Sequence, residues 1–125
     1  GDTRQMILHN VAQILARGVK KVVFTCPSCY HIWKHVYPEI AGQQMESLEI
    51  LHATEYLAEL IEGGRLPLRE MDQTVAYHDP CDLGRKSQVY EAPRRVLHGI
   101  PGLPLVEMAA DNQSKLKAAL ADYGL

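Results

Sequence analysis

Two apolar runs that each end on a cysteine constrain this chain more than any other feature. Residues 20–25 carry Val22, Val23 and Phe24 in unbroken succession and lead straight into Cys26. A run without polar alternation suits a strand buried on both faces, as in a parallel sheet. Val75-Ala76-Tyr77 leads in the same way into His78-Asp79-Pro80-Cys81. The carboxyl edge of an open α/β sheet is where ligands bind, so both segments deliver a thiol to the edge where chemistry takes place.

The rest of the pattern alternates helix with strand. Residues 2–17 read as a helix that Asp2 or Thr3 can cap, with Ile7, Val11 and Ile14 on one face and Gly18 just past its end. Residues 29–37 have helical character, with Ile32, Trp33 and Val36 on a common face, and Pro38 ends them. A loop is expected over 39–47 and a strand over 48–52. Thr54 then caps a helix through Leu57, Leu60 and Ile61 that Gly63-Gly64 terminates. A third strand is predicted at 74–77. Pro93 suits the first turn of a helix burying Val96, Leu97 and Ile100. A fourth strand follows at 103–107, and a last helix from near Asp111 turns Leu116, Ala119, Leu120 and Tyr123 inward. This order predicts an α/β fold: a mostly parallel four-stranded sheet flanked by helices, Rossmann-like, with right-handed crossovers. At 125 residues the chain suits a single domain, 1–125.

Thirteen Lys and Arg against fifteen Asp and Glu leave a formal charge of -2. No basic surplus is available for a phosphate backbone, so nucleic-acid binding is not expected. No apolar run reaches the roughly 18 residues of a membrane span, and the N-terminus has no signal-peptide pattern. The expectation is a soluble, cytoplasmic domain. Its three cysteines are an odd and sparse set, unlike a secreted disulfide framework, and point to metal ligation, redox chemistry or simple burial.

Cys26-Pro27-Ser28-Cys29 falls at a strand-to-helix junction, where helix amides favour thiolate over thiol. Ser28 is placed to donate a hydrogen bond to a thiolate or sulfide. In His78-Asp79-Pro80-Cys81-Asp82-Leu83-Gly84-Arg85, Pro80 forces an extended approach to Cys81 and Gly84 permits a tight turn after it. Arg85 would bring a positive charge near that thiol. Several chemistries fit these residues. Cys26 and Cys29 could act as a thioredoxin-like nucleophile and resolving thiol, although a thioredoxin fold would close with an antiparallel hairpin where helix and strand here keep alternating. Cys26, Cys29 and Cys81 with His78 or His31 form an acceptable tetrahedral zinc set. The remaining candidates read as structural. His9, His35 and His98 are surface residues, and His52 is a hydrogen-bonded histidine at a strand end. Trp33, Tyr30 and Tyr37 belong to core and rim, and Lys20-Lys21 and Arg94-Arg95 are solvated pairs.

VVFTCPSCYHIWKHVYPE, LEILHATEYLAELIEGGRL and VAYHDPCDLGRKSQVYEAPRRVLHGIPGLPLVEM together resemble the cysteine-rich "CCG" region of heterodisulfide-reductase-like iron–sulfur oxidoreductases. The same region occurs in iron–sulfur subunits of glycolate oxidase, lactate-utilisation and anaerobic glycerol-3-phosphate dehydrogenase complexes. The resemblance covers residues 1–108. It implies a cytoplasmic oxidoreductase subunit for electron transfer or disulfide reduction that works with other redox subunits. In that family a lone Cys, a Cys-Cys-Gly pair and a CxxC hold a [4Fe-4S] cluster, noncubane in some members. By resemblance, Cys26 and Cys29 are the closing CxxC of one repeat and Cys81 the opening Cys of the next; His78, His31 and Arg85, read from their positions in the sequence, stand as supporting residues. The chain departs from the family in having no Cys-Cys-Gly after Met108, and Asp82 stands where His is frequent. The resemblance therefore implies a fragment spanning two repeats, holding no cluster or a partial one, inactive alone and open to self-association through uncovered apolar surface.

Overall fold

The computed structural model describes residues 2–105. Helix α1 (Asp2–Leu15) buries Ile7 and Val11, the positions its 3.6-residue periodicity selects. The chain then turns at Gly18, whose φ of 69° is readily available only to glycine, and enters strand β1 (Lys21–Phe24). Strand β2 (Glu49–His52) lies parallel to it, with Val22 opposite Ile50 and Phe24 opposite His52. The fold is thus α/β, with both strands ending at the same edge.

Helix α2 (Pro27–His31), a π-helical turn (Ile32–Val36) and α3 (Tyr37–Ala41) form one continuous connection between the strands. The expected loop at 39–47 is instead α3 followed by a 3-10 turn (Gly42–Met45). Pro38 does not end the helical run, because it occupies the first turn of α3, where its missing N–H has no helical acceptor to satisfy. Ala41, Met45 and Leu48 are buried along this stretch, so its apolar residues are core positions and not loop residues.

Helix α4 (Ala53–Glu62) follows β2 directly, capped by His52 and not by Thr54. Helix α5 (Glu91–His98) packs against α4 and buries Ala92 and Pro93, while Val96 and Leu97 are only half-buried. The core joins Ile7, Val11, Tyr30, Tyr37, Met45, Ile50 and Leu83, with Phe24 and Trp33 packed against it.

The sheet is smaller than expected among the described residues. Residues 74–77 form no strand, and their one ladder contact is a parallel bridge between Val75 and Leu105. Residues 106–107 of the predicted fourth strand, and the predicted helix from Asp111, lie outside the described residues. Strand β1 is also not buried on both faces: Val23 is 39% exposed, because β1 has only β2 as a hydrogen-bonded neighbour among the described residues. No helix among the described residues is long and apolar enough to cross a membrane.

Candidate cysteine site

Strand β1 ends at Phe24, and two residues later Cys26 takes the N-cap position of α2 with extended backbone (φ -92°, ψ 119°). The Cys29 N–H donates to Cys26 Sγ at 3.5 Å, and the Tyr30 N–H donates to the Cys26 carbonyl at 2.9 Å. The Cys29 N–H, followed by the Cys29 thiol, holds the Cys26 thiol below the usual range. Hydrogen bonding to Cys26 pushes Cys29 the other way. One sulfur of the pair is therefore the better thiolate, as the junction predicts.

Each cysteine loop is pinned by a neighbouring side chain driven into the core. Tyr30, next to Cys29, is 2% exposed, and Leu83, two residues after Cys81, is 1% exposed. With these anchors buried, all three thiols are left free and exposed. Residues 81–87 are a succession of turns closed by Leu83 N–H and Gly84 N–H to the Pro80 carbonyl and by Lys86 N–H to the Cys81 carbonyl. Gly84 is needed there for space and not for an unusual backbone angle: a Cβ on it would lie 2.8 Å from the Tyr90 ring.

The two loops meet. Ser28, between Cys26 and Cys29, donates to Asp82 Oδ2, beside Cys81. Lys86 Nζ binds the other carboxylate oxygen at 2.7 Å. Ser87 Oγ donates to the Asp82 carbonyl at 2.7 Å and lies 3.0 Å from His31 Nδ1. Lys86, then Ser28, keeps the Asp82 carboxyl below the usual carboxylate range. Both cysteine loops thus lie together at the carboxyl edge of the β1–β2 pair. The hydroxyl expected to serve a thiolate or sulfide is engaged by Asp82 instead.

Asp79 of the second loop is held bidentately by Arg94 of α5, at 3.1 and 2.6 Å, and Arg95 pairs with Glu62 at 2.8 Å. The expectation of a solvated pair holds for Arg95, which is exposed, and is corrected for Arg94, which holds Asp79 two residues before Cys81. Nothing local in the sequence signals this, since the partners come together only when α5 packs. His52 does more than close a strand. It is buried at the end of β2, its Nδ1 accepts from Thr54 N–H at 3.3 Å, and Glu55 accepts from its backbone N–H at 2.8 Å, closing a capping box. His52 Nε2 is buried, and burial pushes the imidazole below its ordinary pKa, opposed in part by the Thr25 backbone and by Glu55. His78 and Arg85 are exposed and stand on the second loop, while His31 turns to Ser87.

The cysteines do not form a complete metal centre within the described residues. No three His, Cys, Asp or Glu side chains converge on one point there, so the self-contained Cys3His zinc arrangement is not assembled. A four-thiolate cluster does not fit either, since the chain has three cysteines. Beside Cys29 a hollow of about 390 Å³ is walled by Met6, Ile7, Ile32, Trp33, Val36 and Tyr37. Met6 is 54% and Ile32 44% exposed.

Residues 75–115 match the family of the CCG cysteine-rich domain. The chain is 40% identical over 106 residues to one subunit of the dihydromethanophenazine:CoB–CoM heterodisulfide reductase of Methanosarcina barkeri, covering 84% of this chain and 26% of that protein. It is 38% identical over 112 residues to a probable iron–sulfur-binding oxidoreductase, FadF, of Bacillus subtilis, covering 89% of this chain and 15% of that one. It is 37% identical over 98 residues to an EtfAB:quinone oxidoreductase of Syntrophomonas wolfei, covering 78% and 13%. The chain therefore spans about a quarter of the length of the first of these relatives and less of the others. No solved structure matches it.

Proposed function

We propose that this chain, which carries a CCG cysteine-rich domain and is related in sequence to a heterodisulfide reductase component and other iron–sulfur oxidoreductases, is the part of a redox subunit that supplies incomplete sets of cluster thiolates. The observation that carries this reading is the joining of the two cysteine loops through Ser28 and Asp82 at one edge of the sheet. Cys26 and Cys29 supply two thiolates and Cys81 a third, and the cysteines that complete each set lie outside the chain. His31 follows Cys29 and His78 precedes Cys81 closely in sequence, and exposed Arg85 adds positive charge on the Cys81 loop. The [4Fe-4S] type, cytoplasmic placement, and electron transfer to or from other redox subunits belong to the same reading. So do a single domain over 1–125, a four-stranded sheet extending the Val75–Leu105 bridge, and self-association through the apolar hollow beside Cys29.

Anaerobic incubation with iron and sulfide, followed by metal analysis and electron paramagnetic resonance, tests the proposal. Fewer than four irons per chain are expected, with uptake falling in Cys26→Ser and Cys29→Ser. Four irons per chain with a reducible spectrum would overturn the incomplete-set reading. Uptake indifferent to all three cysteines would overturn the ligand assignment.

A further inference from the structure

Cys26 and Cys29 flank the opening turn of α2, and both thiols are free and exposed. Residues three apart on a helical turn have Cα atoms about 5 Å apart, inside the range of roughly 4.4–6.8 Å that a disulfide spans. The turn is held by the Cys29 N–H to Cys26 Sγ contact and by the Tyr30 N–H to Cys26 carbonyl bond. Pro27 removes one backbone freedom between the cysteines. Ser28 is tied to Asp82 and Tyr30 is locked in the core. The segment carrying both sulfurs is therefore pre-bent for closure, and closure requires no helix to unwind.

We propose that in the metal-free chain Cys26 and Cys29 form a two-electron dithiol–disulfide couple that exchanges with small organic disulfides. The inference goes beyond the ligand role and stands without it. The Cys26 thiolate attacks one sulfur of R–S–S–R, a Cys26–S–S–R bond forms, and the first R–S⁻ leaves and takes a proton from water. Cys29 gives its proton to solvent and attacks the Cys26 sulfur; the Cys26–Cys29 bond forms and the second R–S⁻ leaves and is protonated. The pair loses two electrons and two protons, and one disulfide becomes two thiols. Cys26 is the attacking sulfur because it holds the backbone N–H contact, while Cys29 borders the hollow beside Met6 and Ile32. Cys81 remains a thiol throughout, since the pre-bent turn joins only Cys26 and Cys29. Closure consumes both thiols of the CxxC, so oxidised chain and metal-loaded chain exclude one another.

The test uses the whole 125-residue chain, freed of metal by a chelator and equilibrated in glutathione redox buffers. Samples are quenched by alkylation and read by mass and peptide mapping. The expected result is one two-electron transition that removes two of three alkylation sites, with Cys26 bonded to Cys29 and Cys81 still alkylated. Cys29→Ser should stop at a glutathione adduct on Cys26, and Cys26→Ser should form no internal bond, which keeps the test decisive if the first variant fails to fold. Repeating the equilibrium in concentrated urea should shift its constant by at least about 10-fold, the contribution of the pre-bent turn. Glutathione adducts without internal closure, a bond involving Cys81, or the same constant in urea would each overturn the proposal. Iron uptake is read separately, so failure of the ligand assignment is distinguishable from failure of this couple.

Discussion

At the scale of single residues, His52 joins stability to pH. Thr54 N–H donates to its Nδ1, so the neutral ring carries its proton on the buried Nε2. Burial, the first cause, lowers the folded pKa below the ordinary 6.5. As pH falls through about 6.5 the unfolded chain takes up a proton that the folded chain refuses, so folding stability falls in that window and recovers as pH rises. Urea midpoints of wild type and His52→Asn measured across that window should diverge on the acid side, because asparagine keeps an N-cap acceptor but does not titrate. His52→Ala should cost about 0.5–2 kcal/mol at neutral pH through the lost cap. Gly84→Ala should cost about 1–3 kcal/mol, since its Cβ would lie 2.8 Å from the Tyr90 ring. An unchanged midpoint would show that Tyr90 moves aside freely.

At the scale of elements, the cysteine loops are held by different means. Leu83 is 1% exposed, so Leu83→Ala should cost about 2–5 kcal/mol and loosen the whole 81–87 stretch. Asp82→Ala removes contacts to Ser28 and Lys86 at a half-buried surface position and should leave global stability nearly unchanged. Hydrogen exchange at Leu83, Gly84 and Lys86, whose N–H groups close the turns, should nonetheless speed up in Asp82→Ala. Unchanged exchange would mean that Leu83 alone fixes the loop. The elements also separate what is legible in the sequence from what is not. Helices α1, α4 and α5 and strands β1 and β2 follow from local periodicity and punctuation, as does Cys26 at a strand-to-helix junction. Residues 39–47 escape a local reading because Pro38 signals a stop in isolation and a helix start in context, and because Met45 becomes apolar core only once α1 packs nearby. Asp82 with Ser28 and Asp79 with Arg94 are illegible for the same reason: their contacts cross the chain, and no local spacing encodes them.

For the molecule as a whole, what separates a scaffold from a metal-dependent fold is where its stability resides. The core draws on α1, α2, α3, β2 and, through Leu83, on the second cysteine loop. None of its members is a cysteine, and all three thiols are exposed. A small domain that depends on a metal unfolds when the metal is removed, because binding free energy is then folding free energy. This one has a continuous apolar core reaching both cysteine loops, so folding and ligation are separable. The chain purified in chelator and reductant should therefore unfold in urea as cooperatively as the same chain exposed to iron and sulfide, with near-equal midpoints. Cys26→Ser and Cys81→Ser should shift those midpoints by less than about 0.5 kcal/mol, as surface substitutions do. Loss of cooperativity in chelator would place the metal inside the folding equilibrium and contradict the packing. Equal midpoints together with cysteine-dependent iron uptake would identify a scaffold that folds first and presents its thiolates for completion by sulfurs from elsewhere.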